Sequence, residues 1–194
     1  MMKKVLAVAL ASCMIFSSAT VFAAESTAES TAAADATTEA LDLKWEDIKS
    51  LDGIDEILSQ GQVYTFEDVD VNLWVPDVMA PVELADEDKE AGYIGYYATA
   101  DESAAVSVMY VNVEGMTLEE YEAELKADSA ISDIEAGTVN GLPAVSYVIK
   151  EKDTAAVAFT TEKGYILEVS CAPISDEGFA QVVGVILSSI QSAE

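Results

Sequence analysis

Along Gln62–Asp77 (QVYTFEDVDVNLWVPD) apolar and polar residues alternate, with Val69, Val71, Leu73 and Val75 interleaved with Asp68, Asp70, Asn72 and Trp74. Side chains of a strand point to opposite faces in turn, so this spacing predicts a strand with one buried face and one largely wet face. The stretch before it has another period: Trp45, Ile48, Leu51, Ile54, Ile57 and Leu58 recur at helical spacing up to Gln60. A helix is predicted there, with Gly53 as the point where it breaks in two and Gly61 as its stop.

After an acidic loop, Glu83–Gly92, come two apolar runs, YIGYYATA and AAVSVMYVNV, separated by Asp101, Glu102 and Ser103. They predict an antiparallel pair, and apolar residues on both faces of each predict strands covered above and below. In GMTLEEYEAELKAD, Thr117 and Glu120 have the spacing of a capping box, and Leu118, Tyr121 and Leu125 form the apolar stripe of a helix. Ile131–Val139 and Leu142–Glu151 are strand-like and flank Asn140-Gly141, a pair that tolerates the positive φ angles of a tight hairpin. Pro143 predicts an edge position or the first residue of its strand. Two further strands, TAAVAFTT and YILEVSCAP, meet across Glu162-Lys163-Gly164. A closing helix follows, capped by Ser175, with Asp176 and Glu177 in its first turn and Phe179, Val182 or Val183, Ile186 and Ile190 as its apolar stripe.

This order of elements, with the VNLWVPD strand, the VNG turn before an apolar strand and the final FAQVVGVILSSI helix, resembles the PsbP-like superfamily over about Gln62–Gln191. That superfamily includes the photosystem II extrinsic protein and many small exported bacterial proteins. The resemblance implies an α+β fold in which an antiparallel sheet is sandwiched between helices. It implies no particular activity, because one scaffold serves unrelated binding and accessory roles. No ligand motif is matched, so no site residue is carried over.

Residues 1–23 change the picture by placing the chain. Lys3 and Lys4 precede an apolar stretch from Val5 to Phe16, and Val21-Phe22-Ala23 ends in a small-residue cleavage site. This is the pattern of a secretory signal peptide, and its apolar part is shorter than the roughly 20 residues that span a bilayer. The mature protein is expected outside the cytoplasm, without membrane insertion. The alternative is a lipoprotein anchored through Cys13 in Leu10-Ala11-Ser12-Cys13, against which Met14, Ile15 and Phe16 prolong the apolar core. Residues 24–40 are rich in Ala, Thr, Ser and Glu with no large apolar side chain up to Ala40, and are expected to be a disordered tether. One α+β domain is expected over 41–194, long enough to bury about 68–70% of its unfolded surface without a disulfide or metal.

The chain has 36 acidic residues, 9 lysines and neither histidine nor arginine, for a formal charge of −27. Loss of the leader removes two lysines and no acids, giving −29. Such a chain repels nucleic acid and anionic membranes. Without histidine there is no histidine-assisted nucleophile, and none of the seven remaining lysines has a serine three positions before it. No GxGxxG or GxxxxGK phosphate loop occurs. Cys171 is left alone after Cys13 departs, and its place in an alternating strand predicts a buried, inert thiol.

Two candidate sites remain. Calcium is the one cofactor the acids suggest: Asp68, Asp70 and Asn72 share the spacing of the first ligands of an EF-hand loop, though Leu73 stands where that loop has glycine, and Asp86, Glu87, Asp88 and Glu90 form a denser cluster. Tyr93, Tyr96, Tyr97 and Tyr110, with Trp74, suggest an aromatic face for a protein or glycan. The function expected is an exported, non-catalytic binding or accessory module. A calcium-responsive acidic protein is the alternative, and a small hydrolase using carboxylates alone is the third reading.

Overall fold

The computed structural model describes residues 40–111 and 115–193. The signal peptide read in 1–23 and the tether read in 24–40, apart from Ala40, lie outside them. In chain order the elements are β1 (Leu41–Leu43), α1 (Trp45–Lys49), α2 (Ile54–Leu58), β2 (Gly61–Phe66), β3 (Val71–Pro76), β4 (Met79–Pro81), α3 (Asp86–Glu90), β5 (Tyr93–Thr99), β6 (Ala105–Tyr110), α4 (Leu118–Ala127), β7 (Ile131–Val139), β8 (Leu142–Ile149), β9 (Thr154–Thr160), β10 (Ile166–Ala172), α5 (Glu177–Ser188) and β11 (Gln191–Ser192).

The fold is α+β, as the order of elements implies. An eight-stranded sheet runs in the order β1-β7-β8-β9-β10-β6-β5-β4. All its pairs are antiparallel except β1 with β7, which are parallel. One face carries the main core, in which Val106, Val157, Phe159, Leu167, Val169 and Cys171 meet Ile48, Ile54, Val183, Ile186 and Leu187 of α1, α2 and α5. The other face carries α4, whose Leu118, Tyr121 and Leu125 pack on Val145, Tyr147, Ala156 and Ala158. Helix α4 starts where its sequence says: Glu120 N donates to Thr117 Oγ1 (3.2 Å) and Thr117 N to Glu120 Oε2 (2.8 Å).

A second, three-stranded sheet, β11-β3-β2, was not expected from the pattern. Gln62–Asp77 is a hairpin rather than one strand, turning at Glu67–Asp70 with Asp70 at φ +52°. Its β3 is buried on both faces save for the half-buried Asn72, because α2 and α5 cover the side predicted to be wet. The helix break falls at Gly53, which has φ +81° between α1 and α2.

Three further expectations need correction. Strands β5 and β6 are buried on their core face, but α4 lies over β7, β8 and β9, so on the other face Tyr96, Ser107 and Met109 stay partly exposed and only Ala98 is buried. Pro143 lies in β8, an interior strand. It is accommodated because Thr138↔Pro143 lies one step from the Val139↔Leu142 pair that closes the turn, so its ring nitrogen faces β9, and β9 begins to pair only at Ala144. Asp176, not Ser175, caps α5: its Oδ1 accepts from Phe179 N at 2.7 Å. Ser175 is drawn off by Asp153, whose carboxylate accepts from both its amide and its hydroxyl.

The Asn140-Gly141 turn has φ +48° and +83° and joins β7 to β8 as predicted. Asn140 does more than turn the chain. Its Oδ1 accepts from Trp45 N (2.6 Å) at the start of α1, and its Nδ2 donates to Ser188 O and Ile190 O (2.7 Å each) at the end of α5. Replacing Asn140 by glycine keeps the turn but orphans three part-buried backbone groups. At about 1 kcal/mol per hydrogen bond the loss is about 3 kcal/mol, and alanine costs about 1 kcal/mol more because of the positive φ. Chemical denaturation of the wild type, Asn140→Gly and Asn140→Ala is expected to give that order.

Candidate functional site

One hollow of the molecule lies over Trp74. At Val63↔Trp74 the register puts the indole on the same side as Gly61, whose missing side chain leaves the ring its space; a Cβ there would collide with Cε2 and Cζ2. The ring nitrogen donates to Leu58 O of α2 (3.3 Å), and the backbone N donates to Ser189 Oγ (2.8 Å) just past α5. Trp74 is therefore 4% exposed and fixed at both ends.

Above it lies a cleft of about 420 Å³ between α2 and the first half of α5, with Trp74, Pro76, Val78, Ile57 and Val182 as its apolar lining. A second hollow of about 300 Å³ continues it toward Met79, Phe179 and Pro173. The two share Pro76, Val78, Gly178 and Val182, so they form one trough. Val78 stands at the junction, 73% exposed. Glu56 and Asp176 line it and no lysine does. At its far end Asp101 accepts from Ser103 and Thr99, which holds its carboxyl at about 2, so that end stays anionic down to strongly acid pH. Nothing in the sequence singles this trough out. Its walls come from α2, β3, the turn before β4 and α5, and the one local sign is an apolar Val78 between Asp77 and Met79 in a turn.

The predicted aromatic face is not assembled. Trp74 is buried in the small sheet, and Tyr97 turns inward from β5 against Tyr64, ring centroids 4.6 Å apart, where burial pushes its hydroxyl up to about 12. Tyr96 faces the opposite side of β5, paired with Ser107, and Tyr93 lies beyond a bulge at the strand's start. Tyr110 meets the exposed Tyr165 edge to face at 5.6 Å. Alternation along one strand separates what adjacency in sequence suggested.

The acidic clusters do not converge either. Asp86, Glu87, Asp88 and Glu90 are all exposed and fan around the single turn of α3, with Asp88 accepting from Ala85 N (3.0 Å). Among the described residues no three Asp, Glu or Cys side chains are placed to hold a metal ion. At the β2–β3 turn a cation is already in place: Lys163 Nζ contacts Asp70 Oδ2 (2.8 Å) and donates to Asp68 O (3.1 Å) and Glu67 O (3.3 Å). Asn72 is engaged elsewhere, accepting from Thr65 Oγ1 (2.7 Å). Cys171 is fully buried, and desolvation pushes its thiol well above the ordinary range.

No protein-family model matches the chain, and no curated protein does. Among solved structures the chain is similar to cyanobacterial PsbP (CyanoP) from Synechocystis, over 69% of this chain and 92% of that one, with 12% sequence identity and a TM-score of 0.48. The likeness is one of fold alone.

Calcium and magnesium at matched ionic strength are expected to raise the thermal midpoint equally, because screening relieves a net charge of −27 whichever cation supplies it. Scanning calorimetry of the full chain would show a calcium excess of several degrees if the carboxylates bound it specifically. Cys171 is expected to resist an aromatic disulfide reagent in buffer and to react fully in denaturant, since the attacking species is the thiolate.

Proposed function

We propose that the chain is an exported, non-catalytic binding or accessory module that holds an apolar side chain of a partner protein in the trough over Trp74. The trough supports this reading. It is concave and mostly apolar, and its floor is anchored before any ligand arrives, which is the usual character of a binding cleft. Its hollows of about 420 and 300 Å³ leave room for an apolar side chain with the chain that flanks it, and burial of one leucine or aromatic side chain contributes about 1.5–3 kcal/mol. Export is supported by the Lys3-Lys4, apolar and Val21-Phe22-Ala23 pattern, and no described helix is long and apolar enough to cross a membrane. The non-catalytic reading is supported by the absence of histidine and by a thiol that is fully buried in the apolar core.

N-acetyl-leucinamide is the simplest probe. Its addition is expected to shift the methyl resonances of Val78 and Val182 and the indole N–H of Trp74. Val78→Lys, at a position too exposed to disturb the core, should weaken that binding about tenfold. Shifts confined to other parts of the molecule would overturn the reading. Mass spectrometry of the exported protein is expected to find a chain beginning at Ala24, and a chain beginning at a lipid-bearing Cys13 would replace that site with an anchor.

A further inference from the structure

The backbone of the small sheet points to a second surface, independent of the trough. Strand β3 lies between β11 and β2. Trp74 N donates to Ser189 Oγ, Ala193 N donates to Asp70 O, and Asn72 pairs with Gln191. The backbone groups of Asp70, Asn72 and Trp74 therefore point away from β2. Those of Val71, Leu73 and Val75 point toward it, and their partners are Phe66, Tyr64 and Gln62. By alternation, the N–H and C=O groups of Gly61, Val63 and Thr65 project from the free edge of β2. No described residue hydrogen-bonds to them.

Exposed edges are normally blunted by charge, proline, bulges or shortness. The other edge strands follow that rule: β11 has two residues, β4 has three and ends in Pro81, and β1 has three and carries Asp42 beside Lys44. Strand β2 (GQVYTF) has six residues, no charge, no proline and an unbroken register with β3. Val63 stands 59% exposed on it. In a chain with 36 acids, six neutral residues along the longest free edge are a surface prepared for backbone pairing.

We propose that this edge takes up an extended segment of a partner protein as an added strand of the small sheet. The charges around it set the partner's chemistry. Glu56 precedes the strand in α2, the exposed Glu67 and Asp68 follow it, and the nearby Lys163 is engaged by Asp70. The segment is therefore uncharged and β-branched where it meets Gly61, Val63 and Thr65, with lysine or arginine on its flanks. A second copy of this chain does not fit, because antiparallel pairing of two β2 strands sets the Glu67 and Asp68 end of each against the Glu56 end of the other.

The test uses a peptide of alternating valine and threonine flanked by lysine pairs, titrated into the full chain with amide NMR and hydrogen exchange as readouts. The amides of Gly61, Val63 and Thr65 are expected to shift and become protected, while those of Gln62, Tyr64 and Phe66, already bonded to β3, change little. Binding should weaken as salt rises. Val63→Pro removes one outward N–H without touching the β2–β3 bonds and is expected to cut affinity about tenfold, whereas Val63→Thr stays within about threefold. Should the proline variant fail to fold, Val63→Lys keeps every backbone group and repels the peptide's flanks. Equal binding to the wild type and to these variants would overturn the proposal, as would shifts centred on Val78 and Val182, which would assign the peptide to the trough. Concentration-dependent dimerisation that Val63→Pro abolishes would assign the edge to a second copy instead.

Discussion

One side chain holds the three regions of the main core in register. Asn140 sits at the tip of the β7–β8 hairpin, yet its amide group ties together the start of α1 and the end of α5, with Trp45 N, Ser188 O and Ile190 O all within 2.7 Å. Its own N–H donates to Leu43 O of β1 at 2.7 Å, so the parallel strand is fixed as well. Helix ends carry backbone groups with no partner inside the helix, and burying them unpaired is expensive. Here one residue answers for both helices, using the two donors and one acceptor that only an amide side chain offers. Between the two carbonyls it binds lies Ser189, which accepts from Trp74 N, and Trp74 forms the floor of the trough. The hairpin turn is thus linked, through the Ser188–Ile190 segment, to the floor of the trough.

Electrostatics shapes the surface and leaves the core alone. The described ion pairs all involve partly exposed side chains, and such pairs add little to stability. Inside, charge is avoided. Under α4, where a polar group does enter, it is satisfied: Tyr147 donates to Glu168 and meets the Tyr121 hydroxyl at 3.0 Å, and burial drives the Tyr147 hydroxyl far above its ordinary range. A net charge of −27 disfavours the approach of other acidic surfaces and favours that of basic ones over about a Debye length. Against that background the neutral patches stand out, because they are where another chain can approach without displacing a carboxylate's water.

Local chemistry was legible in the sequence. The Thr117–Glu120 capping box, the Asn140-Gly141 turn and the alternation that buries Cys171 each depend on residues a few positions apart, and each formed as read. The failures share a different cause. Ser175 loses the cap to Asp176 because Asp153, 22 residues away, competes for it. Trp74 reads as the wet side of a strand because the pattern cannot show that α2 and α5 will cover it. Asn140 reads as a turn because its partners lie 95, 48 and 50 residues away. The acid clusters resemble ligand sets in sequence because spacing along the chain does not report convergence in space. A single helical turn disperses Asp86, Glu87, Asp88 and Glu90, and Lys163 fills the other site from a distant loop.

The trough and the free edge share the β2–β3 hairpin, so the rigidity of that hairpin decides how they act together. Gly61 begins β2 beneath the indole of Trp74, and Trp74 is held by Leu58 O on one side and Ser189 Oγ on the other. Two sites are coupled only through an element that has two arrangements of similar energy. A tryptophan fixed at its ring nitrogen and its backbone, over a glycine that leaves it one fitting position, is not such an element. A strand added at Val63 therefore meets a trough already formed, and each site loses little ordering entropy on binding. If one partner engages both, the gain comes from tethering, since the second contact forms at the effective concentration set by the first. On the proposed reading, two weak, pre-formed contacts on one hairpin become specific only when a single partner presents both an apolar side chain and a basic-flanked strand.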